Sequence, residues 1–354
     1  MQQTSERDGN LDHVTVDVSK VPFTFSTARY SNLKDLQAHL CKAAVVLASV
    51  DHEQVSVAKA CRQLGVPCVY VSEYSLVTRH QIIDATAPNP IIRLRRRIWA
   101  SGVERQQRRA IASATGIQCN GTPTFEAYRD LTPSPLLYFD TRVTPDLLIS
   151  QDALQARLAR AGREGPIRLA YSGRLDKMKG ADHLPKIAGT LAAEGVEFTL
   201  DIFGDGECRR KIEEEIARSD LGGRVRLRGV LDFSRQLMPE LSRNVDLAIM
   251  PHPQGDPSCT YLETLSAGVP IAGYQNEAWS GVQRVAGMEI GVSAPIGDIQ
   301  GIAGRIAELS RNRERLCAMS ISGRTFASLH TFDGTFTKRV EHLVSIASAS
   351  KSQT

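Results

Sequence analysis

Short β-rich apolar runs alternate with stretches of helical spacing along this chain. Ala43–Ser49 predicts a buried strand. In Glu53–Leu64, Val55, Ala58 and Cys61 recur at helical spacing, Gly65 closes the helix, and Pro67–Ser72 predicts the next strand. The second half repeats the pattern more clearly. Strands are predicted at Ile167–Ser172, Glu197–Phe203, Val225–Gly229, Asp246–Met250 and Pro270–Tyr274. Helices are predicted near Ala181–Ala193, Glu207–Arg218, Phe233–Leu241, Thr260–Ala267, Ile299–Leu309 and Glu314–Ser328. Strands and helices alternating at these lengths imply βαβ units, hence an α/β fold with parallel sheets.

A break in the pattern at Ala161–Pro166, where AGREGP follows a polar helix and precedes a fresh strand, predicts two domains, 1–165 and 166–354. The front of the chain is thin. Residues 1–40 offer a short extended stretch at His13–Ser26 and a helical piece at Leu33–Leu40. The tail Ala347–Thr354 is small and polar and is expected to fray.

Composition narrows the class. The chain has 354 residues, 42% hydrophobic and 23% charged, which suits two globular domains rather than a disordered chain. The longest apolar runs, such as Ala43–Val50, are far short of a membrane span, and Met1–Asn10 carries no apolar signal core. Seven cysteines stand singly, without a CxxC pair, which argues against a disulfide framework or a zinc site and predicts a cytoplasmic protein. The net charge of +4 is carried by the first domain, and Pro88–Ala110 alone holds seven arginines and one glutamate. In NPIIRLRRRIWASGVERQQRRA, residues 89–110, Ile91, Leu94, Ile98 and Trp99 fall near one helix face. Leu94 and Ile98 are expected to pack on their own domain. The arginines across residues 91–109 are expected to meet an anionic membrane surface, which places the protein at its inner face.

Two stretches carry candidate chemistry. In LAYSGRLDKMKGADHL, Leu169–Leu184, a strand ends at Ser172-Gly173, Arg174 follows, and Lys179-Gly180 is expected to open a helix. Two cations on a glycine-bearing loop, with a helix N-terminus behind them, can cradle a diphosphate; a basic loop without ligand fits the same residues. In DLAIMPHPQGDPSCTYLETLSAGVPIAGY, Asp246–Tyr274, a strand runs into a polar loop and Ser258, Cys259 and Thr260 fall at a helix N-terminus. Glu263, one turn in, can accept hydrogen bonds from a ribose diol or can be a surface glutamate.

With GDG at 204–206, VRLRG at 225–229 and DLAIMP at 246–251 between them, GRL at 173–175, KG at 179–180 and ETLSAGVP at 263–270 resemble the C-terminal half of glycosyltransferase family 4 enzymes of the GT-B fold. The resemblance covers about half the chain. It implies two Rossmann-like domains facing a cleft, with the nucleotide-sugar donor in the C-terminal one and a glycan or lipid-linked acceptor in the N-terminal one. The last helix is then expected to cross back to the first domain. The resemblance implies a retaining transferase needing no metal or other cofactor, in which the leaving phosphate takes the acceptor's proton. Arg174 and Lys179 would hold the diphosphate, Glu263 the ribose, and Gly173, Asp256, Ser258, Cys259 and Thr260 the rest of the donor. The family's first glutamate, eight residues before Glu263, is Gly255 here, with Asp256 beside it. A binding or scaffold subunit without turnover is the alternative this opens.

Ala43–Tyr74 is similar to a strand–helix–strand unit of the family's acceptor domain. Glu73 stands where many relatives carry a histidine facing the cleft; it can orient an acceptor hydroxyl or be a solvated loop residue. His52 is a weaker candidate, read as a polar helix start. Residues 1–40 are too few to supply the family's first strand, glycine turn and helix, so the N-terminal sheet is expected to be incomplete, through a misplaced start or real loss. Other chemistries lack their residues. There is no Asp-x-Asp, HExxH, G-x-S-x-G or G-x-G-x-x-G, and only Trp99 accompanies the arginines, so nucleic-acid binding is not expected.

Overall fold

The computed structural model describes residues 7–8, 11–12, 18–255 and 259–351. The first domain is built on a four-stranded parallel sheet: β1 (Val46–Ser49), β2 (Cys68–Ser72), β3 (Gly116–Asn120) and β4 (Ser134–Tyr138), in that spatial order. Its helices are α1 (Leu33–Leu40), α2 (Val57–Leu64), α3 (Leu76–Thr86), α4 (Pro90–Ile111) and α5 (Thr122–Tyr128). Leu36 of α1, Val57, Ala58 and Cys61 of α2 and Ile111 of α4 bury one sheet face against Ala48, Tyr70, Ile117 and Cys119.

No described residue before Val46 joins this sheet, so β1 is its edge. Residues 13–17 of the stretch expected to be extended lie outside the described residues; the rest of it holds a 3-10 turn at Val18–Lys20 and no strand. The other correction concerns α4. Ile91, Leu94, Ile98 and Trp99 are 61–74% exposed, so Leu94 and Ile98 do not pack on their own domain. The helix is anchored by its far end instead, where Ala100, Ala110 and Ile111 are buried.

The second domain is a six-stranded parallel sheet of β5 (Ile167–Ser172), β6 (Phe198–Phe203), β7 (Val225–Gly229), β8 (Leu247–Met250), β9 (Ile271–Tyr274) and β10 (Gly291–Ala294). The spatial order is β10-β9-β8-β5-β6-β7, reversing direction between β8 and β5. α6 (Gln151–Ala161) leads in. α7 (Leu184–Ala193), α8 (Arg209–Arg218), α9 (Met238–Asn244), α10 (Cys259–Ser266), α11 (Glu277–Ala286), α12 (Ile299–Arg311) and α13 (Arg313–Ser328) cover its two faces. The fully buried aliphatics of the inner strands, such as Ile167, Leu200 and Ile249, mark a sheet covered on both sides.

α14 (Phe332–Lys351) returns to the first domain. Arg339 Nε donates to Gln118 Oε1 at 2.9 Å, His342 meets Ser134, and Ile346 lies against Gly116. The tail expected to fray is helical as far as Lys351, and residues 352–354 lie outside the described residues. α14 covers β3 and β4 only, which leaves Leu47 of β1 46% exposed.

Where the chain passes between domains, Phe139 packs edge-on to Phe326 and His330. Burial, then Lys338, lowers the His330 pKa from 6.5 to about 4. Between those values the unfolded chain binds a proton that the native state refuses, so stability falls as pH drops through this window. In urea titrations at a series of pH values, His330→Phe is expected to flatten part of that loss; identical slopes in parent and variant would clear His330 of the effect.

Candidate functional site

β5 delivers its carboxyl end beside that of β8, its neighbour in the sheet. After Ser172 the chain makes a 3-10 turn at Lys177–Lys179, reverses at Gly180, makes a second 3-10 turn at Ala181–His183, and only then enters α7. Lys179-Gly180 therefore does not itself open the α-helix. Gly180 is left-handed, with φ of +65°, and a Cβ there would lie 1.9 Å from the Pro251 carbonyl oxygen. Only glycine allows this loop to rest on the end of β8. Lys179 is buried, while Arg174 is half-exposed and pairs with Asp176 at 3.3 Å.

Beyond Pro251 the imidazole of His252 is 2% exposed, and among the described residues neither ring nitrogen has a hydrogen-bond partner. Burial first, then the positive charge of Lys179, pushes its pKa well down, so it is neutral. Gly255 is held from the first domain: its N–H donates to Gln81 Oε1 at 2.7 Å and its carbonyl accepts from Thr78 Oγ1 at 3.3 Å. A Cβ at 255 would press on Glu277 Cβ at 3.1 Å, so the seam is closed tightly where the family's first glutamate would stand.

Asp256 and Ser258 lie outside the described residues. Cys259 and Thr260 form the first turn of α10, whose free N–H groups make a partial positive charge. Burial, then Glu263, raises the Cys259 pKa, so this thiol is not a nucleophile at neutral pH. The Glu263 side chain is 6% exposed, and Arg142 Nε donates to its Oε1 at 2.9 Å.

Glu73 leaves the end of β2, and although exposed it is tied down. Asn120 Nδ2, at the end of β3, donates to its Oε2 at 2.7 Å, and Tyr138 OH, at the end of β4, to its Oε1 at 3.4 Å. Burial and then Glu73 raise the Tyr138 pKa, while the Arg339 guanidinium lies over the ring, 4.3 Å from its centroid. Asn120 Oδ1 accepts from the Asp140 N–H at 3.1 Å, and Asp140 in turn acts electrostatically on Cys259. Polar groups of both domains thus lie at the carboxyl ends of two parallel sheets, the usual place for ligands in open α/β folds. His52 lies apart, against Trp99.

The residues Asn120, Tyr138, Thr78, Gln81 and Arg142 were not singled out by the sequence. Asn120 and Tyr138 end strands, and the same rule that marks Glu73 marks them once those strands are recognised. Arg142 sits in an irregular segment and carries no sequence signal.

Residues 156–326 match the family described as Glycosyl transferases group 1. The 2-deoxystreptamine glucosyltransferase of Streptomyces kanamyceticus is 26% identical over 165 residues, 47% of this chain and 40% of that protein. The chain thus aligns with well under half the length of that curated relative. Among solved structures, Anabaena HepE in complex with UDP superposes with a TM-score of 0.64 at 14% identity, over 88% of this chain and 81% of that one. Sucrose-phosphate synthase from Thermosynechococcus elongatus superposes at 0.62 and 16% identity, over 90% and 77%. The fold is the GT-B fold, with two parallel-sheet α/β domains.

Gly180→Ala tests the cradle's seating. The left-handed backbone alone costs about 1–2 kcal/mol for a residue with a Cβ. The clash with Pro251 adds to it, so a lower urea midpoint and weaker anion binding are expected together. A variant as stable as the parent would show that the loop does not rest on β8.

Proposed function

We propose that this chain, whose residues 156–326 match the Glycosyl transferases group 1 family, is a nucleotide-sugar-dependent glycosyltransferase. The observation that supports this reading is that four features follow the carboxyl ends of the neighbouring strands β5 and β8. Lys179 is buried against the end of β8, Arg174 is on the same loop, α10 begins with Cys259 and Thr260, and Glu263 is buried one turn in. Arg174, Lys179 and the α10 N-terminus stabilise the diphosphate as its charge develops on leaving. Gly173 lets the backbone approach it, and Asp256, Ser258, Cys259 and Thr260 line the donor. Glu263 receives the ribose diol. Because HepE holds UDP in its structure, a UDP-sugar is the first donor class to test.

Glu73 accepts the hydroxyl of a glycan or lipid-linked acceptor and, held by Asn120 and Tyr138, orients it toward the donor. The reaction retains configuration, and the departing phosphate takes the acceptor's proton. Two cations and a helix end supply the countercharge a metal supplies elsewhere, so no cofactor is required.

Arg174→Ala and Lys179→Ala are each expected to weaken nucleoside diphosphate binding. A charge-assisted hydrogen bond is worth about 1.5–3 kcal/mol, roughly 10- to 150-fold in Kd, read by calorimetry. Sugar transfer is expected to persist in EDTA. Parental affinity in both variants removes the cradle, and tight donor binding with no turnover identifies a scaffold instead.

Among the described residues, no helix is long and apolar enough to cross a membrane. The exposed stripe of α4, flanked by Arg93, Arg95, Arg96 and Arg97, supports peripheral attachment to an anionic membrane at its cytoplasmic face. Cosedimentation with vesicles rich in phosphatidylglycerol is expected to fall with added salt and to fail in Leu94→Glu/Ile98→Glu. Equal sedimentation with neutral vesicles contradicts this attachment.

A further inference from the structure

Arg142 lies in the segment that leads from β4 into the second domain. Its neighbours Thr141 and Val143 are buried, the Val143 N–H donates to Thr141 Oγ1 at 3.1 Å, and the Val143 carbonyl accepts from the Phe332 N–H at 2.8 Å, where α14 begins. The backbone on either side of Arg142 is thus pinned at the point where both chain crossings meet. From there the side chain reaches into the second domain. Its Nε donates to Glu263 Oε1 at 2.9 Å, and its guanidinium lies 4.0 Å over the ring of Phe233, which begins the π turn after β7.

A flat, delocalised group stacked on an aromatic ring at one end and hydrogen-bonded to a buried carboxylate at the other resembles how a nucleoside would sit there. The stacked guanidinium takes the place of a base against Phe233, and the Nε–H takes the place of a ribose hydroxyl on Glu263. Arg142 also neutralises a carboxylate whose side chain is 6% exposed, which stabilises the contact. The Arg142 side chain is itself 48% exposed, so it has solvent to swing into.

We propose that Arg142 is an internal stand-in for the donor's nucleoside, and that it must leave Glu263 and Phe233 before the nucleotide binds. The proposal rests on the reading of Glu263 as the ribose ligand. Arg142 therefore sets donor affinity: a site occupied by its own arginine for nine-tenths of the time binds nucleotide about tenfold more weakly than an open one. Because the arginine springs from the segment joining the domains, donor arrival also changes a contact between them.

The experiment compares parent, Arg142→Ala, Arg142→Lys, Glu263→Ala and Arg142→Ala/Glu263→Ala for binding of UDP and of inorganic pyrophosphate by calorimetry, with thermal unfolding to verify the fold of each. Pyrophosphate needs the Arg174 and Lys179 loop but neither Glu263 nor Phe233. The expected result is UDP affinity about tenfold tighter in Arg142→Ala. A smaller gain is expected in Arg142→Lys, which lacks the planar stack, with pyrophosphate affinity nearly unchanged in both. If Arg142→Ala binds UDP no better than the parent while Glu263→Ala binds it worse, the stand-in is overturned and the ribose site survives. Loss of both UDP and pyrophosphate binding in Arg142→Ala makes Arg142 an anion ligand, which also overturns it. If Arg142→Ala/Glu263→Ala binds UDP as tightly as Arg142→Ala does, the ribose assignment itself has failed. Should Arg142→Ala fail to fold, Arg142→Lys decides by the same signs.

Discussion

The site depends on one close approach of backbone to backbone. β5 and β8 are neighbours only because the strand order reverses between them, and that reversal opens a crevice at their carboxyl ends. Gly180 closes the floor of the crevice by resting on the Pro251 carbonyl, with no room for a Cβ between them. Lys179 is buried because Gly180 sits there, and His252 is shut in beside it. The cradle loop, the end of β8 and the entry to α10 are therefore one mechanical unit.

Most of the second domain was legible in the sequence. A sheet buried on both faces writes itself as continuous apolar runs, and the helices between them carry clear 3.6-residue spacing, so strands such as Leu247–Met250 and Ile271–Tyr274 fall where periodicity puts them. The candidate cations and Glu263 were legible too, because they sit at fixed offsets from glycines and strand ends. The start of α7 was not, since Gly180 and Pro185 divide the segment into short turns that share the composition of a helix. The partners of Glu73 and Glu263 were also hidden. Asn120 is 47 residues from Glu73, and Arg142 is 121 residues from Glu263, and no local pattern reports pairings of that range.

The first domain shows the opposite failure. Helical spacing in Leu94 and Ile98 was read as packing, but spacing gives only the face, and the partner of that face depends on how far the sheet extends. Here β1 is an edge, α14 stops short of it, and the apolar stripe of α4 stays largely exposed, with Trp99 lying edge-on to His52. Leu47 and Trp99 are thus exposed for topological rather than compositional reasons. Seven arginines in and around the stripe keep this side from being a simple sticky patch, because like charges oppose self-association.

The double crossing between domains governs how the protein can move. A domain joined to its neighbour by one linker can swivel about any axis. This chain passes across twice, once through residues 140–149 and again near 329–332, and the two passes are stitched together by the Phe332–Val143 hydrogen bond and the edge-on contact of Phe139 with His330. Two tethers bound side by side act as a single pivot, so the clamshell has one easy degree of freedom, with sliding and twisting both resisted. A rotation at Val143 then breaks the Gln81–Gly255 contact between the domains while leaving both sheets whole.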